Sequence, residues 1–321
     1  MQFRKFRYAM LALGAALVCA GPSHAQSYPA KPIDLVVGFG AGGSTDLAAR
    51  VIAGALEALW KKPIRVINTP GGNTVPAVDQ VMRAEPDGYT MLSDSQSQSS
   101  LLSVAVKTLP WKVLDRTFVA VVAQTPNMIV VSMDSKFKTM ADASEAMKKD
   151  PGSITWTSLG GAGSQDFMFR RWVDSIGVDI KKMRAIQLKS GAEAVTLTAG
   201  GHVGIGLSAW TGIAGAYQGK RVRLLAVAGP ERYPDAPDAP TTKEAGYPKA
   251  ETMYWLGISG PPGLPQEIVQ KWQDGIAAVL KDPAVIAKLA KVGLMPFYHD
   301  GKAMRALVQE EQDIATKLWA N

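Results

Sequence analysis

Apolar residues enter this chain in two rhythms. Short β-branched runs such as Ile33-Asp34-Leu35-Val36-Val37 alternate with longer stretches whose apolar positions recur at helical spacing, as over residues 46–59. The first kind fits strands and the second amphipathic helices. The alternation predicts strands at 33–37, 64–68 and 89–92, helices at 46–59 and 74–84, and a turn at Pro86-Asp87-Gly88. This is a βαβαβ half, the building block of an open parallel sheet. Residues 118–122 and 128–131 are apolar and β-rich, with Gln124-Thr125-Pro126-Asn127 between them. A long strand interrupted in this way can carry the chain from one domain into another. A second series follows: helix 140–149, strand 154–157, helix 165–176, strand 185–188, helix 192–198 and strands 203–207 and 222–227. After a Pro/Asp-rich loop at 230–240 comes a strand at 255–259. The stretches 265–280, 283–292 and 301–318 are amphipathic and are expected to pack outside the sheets.

The same device occurs in both series: a strand, a glycine-rich loop, Ser/Thr, then a helix. In the first the loop is Phe39-Gly40-Ala41-Gly42-Gly43-Ser44-Thr45-Asp46; in the second it is Ser158-Leu159-Gly160-Gly161-Ala162-Gly163-Ser164-Gln165. Gly38, Gly40 and Gly43 fall at the G-x-G-x-x-G spacing of dinucleotide sites. A Rossmann unit also needs an acidic residue at the end of its second strand to hold the ribose. Here that strand ends in Asn68-Thr69-Pro70, and Gly43 leads into N-cap residues rather than lying within the helix. No nucleotide or other cofactor is therefore expected. Uncapped N–H groups and the positive dipole end of a helix attract a smaller anion by the same physics, and glycines let a carboxylate come close to the backbone. Two such helix starts facing one another would clamp a carboxylate; two ordinary capped turns are the plainer alternative.

The N-terminus places this chemistry in a compartment. Arg4, Lys5 and Arg7 precede an apolar stretch, Tyr8–Ala20, that is shorter than the ~20 residues a membrane span needs, and Ser23-His24-Ala25 offers a signal-peptidase site. Residues 1–25 are read as a cleavable signal peptide, which implies a bacterial periplasm; an uncleaved anchor and a lipoprotein signal at Cys19 are the alternatives. Cys19 is the only cysteine, so disulfides, thiol catalysis and cysteine metal sites are not expected downstream. His202 and His299 lie far apart without ligand-like neighbours, and no metal is expected. The formal net charge is +7, three units of it in the leader, and no Lys/Arg run has the length of a nucleic-acid footprint. The chain of 321 residues has the length of two domains.

Several segments, in order, resemble the receptors of tripartite tricarboxylate transporters, the Bug family of periplasmic solute-binding proteins. They are Tyr28-Pro29-Ala30-Lys31-Pro32-Ile33, the loop 39–46, Asn68-Thr69-Pro70-Gly71-Gly72-Asn73, Pro86-Asp87-Gly88-Tyr89-Thr90-Met91-Leu92, Leu225-Ala226-Val227, residues 237–246 and Gly260-Pro261-Pro262-Gly263-Leu264-Pro265. The resemblance implies two doubly wound α/β domains joined by two crossover segments, a type II-like periplasmic binding protein that closes like a Venus flytrap. The expected division is 26–125 with 250–321 as domain 1 and 126–249 as domain 2. It further implies a carboxylate held by backbone N–H groups and waters of the loops Gly40–Asp46 and Gly160–Gln165, and delivery to the large and small membrane subunits of such a transporter by a monomeric receptor. Leu188 and Ser190 stand where the family usually has a tyrosine and a lysine-flanking glycine, and Gly204 where it often has an acid; these departures bear on ligand identity.

Strand-end positions complete the candidate pocket: Ser95 and Gln96, Gln124 and Asn127, Ser158, and Ser208 with Trp210. Trp210 is either a wall for a flat ligand or a packing residue. Lys189 either pairs with a second carboxylate or is solvated. No histidine accompanies the Gly-Ser loops and no G-x-S-x-G elbow is present, so an enzyme is not expected. A receptor acting on a sensor kinase remains the rival to one that feeds a transporter.

Overall fold

The structure, a computed structural model, describes residues 28–188 and 191–320. The predicted signal peptide, Lys189 and Ser190 lie outside the described residues.

Strand β1 (Ile33–Val37) lies between β2 (Ile64–Asn68) and β3 (Thr90–Ser95), all parallel. Ile33, Leu35, Val36 and Val37 have no exposed surface, which explains a near-continuous apolar run where an alternating one would suit a half-exposed strand. Helix α1 (Ser44–Trp60) joins β1 to β2, α2 (Val75–Met82) joins β2 to β3, and a helical segment ending in α3 (Leu102–Ala105) follows β3. Beyond β3 the sheet continues antiparallel through β9 (Met253–Gly260), β4 (Thr117–Ser132) and β10 (Met295–Asp300).

Strand β4 is the spine of the molecule. Its first part pairs with β9 as far as Pro126↔Met253, and from Asn127↔Ala209 onward it pairs with β7 (Gly206–Ala209) and β8 (Val222–Val227). The sequence suggested two runs parted by residues 124–127; they form one strand that changes sheets there. Proline is tolerated because it sits where one ladder gives way to the next.

The second lobe repeats the first. After α4 (Met140–Lys149), β5 (Thr155–Ser158) pairs in parallel with β6 (Arg184–Gln187) and bridges in parallel to Ile205 just before β7. The order β6-β5-β7 thus matches β2-β1-β3. Helices α5 (Ser164–Ser175), α6 (Gly191–Ala199) and α7 (Trp210–Gln218) follow β5, β6 and β7. Each lobe has its own main core, and a smaller cluster of Leu101, Phe167 and Ala315 joins the two. One main core packs β1, β3 and β9 under α1, α8 (Gln266–Val279) and α9 (Pro283–Lys291); the other centres on Trp156, Phe169 and Trp172, with ring centroids 4.6 and 5.7 Å apart. The last helix, α10 (Gly301–Ala320), lies along the first lobe and reaches the second, where the Arg170 guanidinium sits 4.4 Å from the Trp319 ring.

Two elements lie outside the sequence expectations. Strand β10 carries Pro296 and polar His299 and Asp300, so it lacks an alternating apolar pattern and owes its strand form to pairing with β4. The Ser97–Ala105 segment is rich in serine, a weak helix former, and folds because it is buried between β3 and α10.

Candidate functional site

In open α/β sheets ligands gather beyond the carboxyl ends of the parallel strands. Both lobes present those ends to one cleft. It encloses a cavity of about 460 Å³ with contributions from the loops after β1, β2, β3, β5 and β7 and from Gly191 at the start of α6. Phe39, Gly40, Ala41, Gly42, Gly43, Ser44 and Thr45 line it from the first lobe, and Gly163, Gln165 and Ser208 from the second.

The helices entering the cavity begin without capping side chains. Gly43, Gly163 and Ala209 precede α1, α5 and α7 in extended backbone, and none of the three helices has a side-chain cap. A helix start leaves its first N–H groups without intrahelical partners, and each such end carries roughly +0.5 elementary charge. Among the described residues, the cavity lining contains no Lys, Arg, His, Asp or Glu. The electropositive character of the cavity therefore comes from backbone dipoles.

The first loop is braced from behind. Asp46 is buried, and its carboxylate accepts from Gly42 N (2.9 Å), Arg50 Nε (3.0 Å) and Asn68 Nδ2 (2.8 Å). Asn68 also donates to the Phe39 carbonyl at 3.0 Å. The residue that replaces the Rossmann acid thus ties β2 to the glycine loop. Burial works against the Asp46 carboxylate, yet the bonds from Arg50, Gly42 and Asn68 outweigh it and hold the group below its ordinary range. Asp46 shapes the loop and its side chain does not line the cavity.

Asp166 occupies the corresponding place in α5, and the sequences Gly43-Ser44-Thr45-Asp46 and Gly163-Ser164-Gln165-Asp166 each have an arginine four residues on. Its Oδ2 accepts from Leu159 N at 3.0 Å, but Oδ1 has no partner, because Arg170 turns to Trp319. Burial, opposed by bonds from Ser158 and the loop backbone, pushes this carboxyl up. One motif thus gives two carboxylates shifted in opposite directions.

Other expected site residues stand behind the lining. Ser95 donates to Gln98 Oε1 (3.0 Å), Gln96 donates to Glu311 (2.6 Å), and Asn127 donates to Ser164 Oγ (2.6 Å), which fixes the first turn of α5. Ser158 Oγ accepts from Gly160 N at 3.3 Å. Gln124 faces Trp255 and Met295 across the sheet and does not reach the cavity. Gly160 and Gly161 turn the second loop at positive φ; a Cβ on Gly160 would stand 3.0 Å from Asn73 Oδ1 of the opposite lobe. Trp210 is not a wall of the cavity: it is buried against Tyr233, centroids 4.6 Å apart, and Tyr217. Its neighbours Ala209, Thr211 and Gly212 line the cavity instead, and Ser44 Oγ and Thr211 Oγ1 meet across the cleft at 3.3 Å.

The sequence reading missed Asn73, Thr74, Ser97 and Tyr254, and with them Leu159, Thr211 and Gly212. Tyr254 hydrogen-bonds Thr45 Oγ1 at 2.9 Å from 209 positions away, so no local pattern could have revealed it. Asn73 and Thr74 carried a signal, since they follow a strand end just as the glycine loop does. No group of three or more metal-ligating side chains occurs among the described residues, and no described helix is long and apolar enough to cross a membrane.

The family model described as the tripartite tricarboxylate transporter family receptor matches residues 48–319. The UPF0065 protein in the gbd 5' region of Cupriavidus necator is 31% identical, covering 99% of this chain and 98% of that one. The Bordetella pertussis protein BugT is 28% identical over 91% of this chain and 89% of its own. Among solved structures, the periplasmic binding protein BugD superposes with a TM-score of 0.79 at 26% identity, covering 91% of this chain and 98% of that one. An R. palustris protein with adipate does so with a TM-score of 0.82 at 25% identity and the same coverage.

Proposed function

The chain belongs to the tripartite tricarboxylate transporter receptor family, and we propose that it captures a small carboxylate in the interlobe cleft and delivers it to the large and small membrane subunits of such a transporter. The observation that carries this reading is the cavity's electrostatics: uncapped helix starts from both lobes converge on a space whose described lining has no charged side chain. Backbone N–H groups at helix starts suit a carboxylate, which brings its own charge. The adipate held by the R. palustris relative is of that chemical class. In this reading the cavity captures and releases its ligand, and its described lining is made of backbone, hydroxyl, amide and apolar groups.

The leader of residues 1–25 directs the chain to the periplasm in this reading, where it works as a monomer. Residues 26–125 with 250–321 form one closing body and 126–249 the other, hinged where β4 passes from one lobe to the other and where the chain returns just before β9. Lys189 precedes Gly191 of the lining by two positions in the sequence, and in this reading it pairs with a second carboxylate. The test is a thermal-shift screen of ligand-stripped protein against di- and tricarboxylates, aromatic acids, amino acids and NAD. A ligand at 100 times its Kd adds ~2.7 kcal/mol, a shift of several degrees. Stabilisation by carboxylates supports the reading; stabilisation by NAD alone refutes it.

A further inference from the structure

The two glycine loops are braced differently. In the first, Asp46 accepts from Gly42 N at 2.9 Å and pairs with Arg50, one helical turn on, at 3.0 Å from Nε and 2.9 Å from Nη2. In the second, Asp166 accepts from Leu159 N, and Leu159, Ala162 and Gly163 of that loop line the cavity. Arg170 stands at the same spacing from Asp166, one at which side chains on a helix meet. Here the pair is not made: Asp166 Oδ1 and Arg170 Nε are both buried and both lack a partner. Each is the group that would satisfy the other, an anionic acceptor and a forked donor. Burial pushes the Asp166 carboxyl up and the Arg170 guanidinium down, as expected of charges left apart inside a protein.

The first lobe takes the guanidinium instead. Trp319, in the last turn of α10, has its ring centroid 4.4 Å from Arg170 Cζ. The same indole flanks the second loop, because a Cβ on Gly161 would stand 3.8 Å from its Nε1. Asn73, also of the first lobe, stands at the neighbouring Gly160. The second loop is thus flanked by two first-lobe residues in a structure whose lobes meet across the cleft at Ser44 and Thr211. We propose that Arg170 exchanges partners as the lobes move. It lies on Trp319 while the cleft is shut; when the lobes part it turns to Asp166 and braces the second loop as Arg50 braces the first. Trp319 then favours the shut form and Asp166 the open one, so a single guanidinium weights the equilibrium between them. Arg170 is a positioning residue, acting on a ligand only through the loop. The proposal rests on the closing motion of the proposed function and is independent of which ligand is bound.

The experiment follows the Arg170 Nε–H signal by 15N NMR in purified protein, with the signal assigned by its loss in Arg170→Lys. A proton over the face of an indole is shifted upfield, and one donated to a carboxylate is shifted downfield. Trp319→Leu takes away the ring, so the signal should move downfield; adding Asp166→Asn, which removes the charge, should undo most of that move. A signal that stays in place in Trp319→Leu, or that exchanges with water like an exposed arginine, would overturn the proposal. The link to lobe motion is read in two further variants at the cleft mouth. Ser44→Asp with Thr211→Asp sets like charges against each other and should part the lobes, which X-ray scattering reads as a larger radius of gyration. The Arg170 signal should then move downfield with Trp319 still present. Ser44→Asp with Thr211→Lys draws the lobes together and should leave the signal at its wild-type position. Parted lobes with an unmoved Arg170 signal would overturn the exchange and leave the closing motion standing. No ligand enters these measurements, so failure of every carboxylate in the thermal screen would refute the carboxylate reading without touching this result.

Discussion

At the scale of single residues, the paired aspartates show how environment decides the role of one sequence motif. Asp46 sits below its ordinary pKa, so its stabilising contribution is present above the unfolded-state value of ~3.9 and is lost as pH falls through the folded value. Asp166 sits above, so its contribution is complete below ~3.9 and is lost as pH rises through the folded value. Asp46→Asn is therefore expected to destabilise the protein at neutral pH by about 1–3 kcal/mol, the scale of hydrogen bonds to a charged group. That loss should shrink on acidification. Asp166→Asn, which keeps an acceptor for Leu159 N, should be more stable than wild type at neutral pH and lose that advantage in acid. Urea titrations at pH 7 and near pH 3 check both signs.

At the scale of elements, the repeated strand-loop-helix unit places its loops at the cleft, and the glycines there are tolerances for close approach. Gly160 has φ 93° and faces Asn73 of the other lobe. Gly160→Ala should cost ~1–2 kcal/mol from the left-handed backbone alone and should also weaken ligand binding, because the added methyl meets Asn73. Calorimetry and denaturant midpoints separate the two effects. The first glycine loop was legible in the sequence because a β-branched run, three glycines and an amphipathic helix are all local patterns. Trp210 was not: a tryptophan at a strand end looks the same whether it faces a ligand or Tyr233, and only tertiary packing distinguishes the two. Thr74 was expected inside a helix over 74–84, whereas it sits at φ 68° just before that helix begins. Strand β10 and the Ser97–Ala105 helical segment were hidden because long-range burial overrode weak local preference.

At the scale of the whole molecule, β4 runs through both lobes, each lobe has a main core of its own, and the lobes also meet at a small cluster of Leu101, Phe167 and Ala315, at Arg170 and Trp319, and across the cleft at Ser44 and Thr211. Such an arrangement can hinge, and a ligand that touches both lobes favours the closed form by its differential affinity. X-ray scattering should show a smaller radius of gyration with saturating ligand than without; identical curves would exclude closure.

In the proposed function, backbone N–H groups at uncapped helix starts hold a carboxylate. The most direct test is a titration of 15N-labelled, ligand-stripped protein with the best carboxylate from the thermal screen, followed by amide NMR. The largest downfield proton shifts are expected at Ser44, Thr45, Gln165, Thr211 and Gly212, the residues at the starts of α1, α5 and α7. Shifts confined to amides outside the cleft, with these unmoved at saturation, would contradict it.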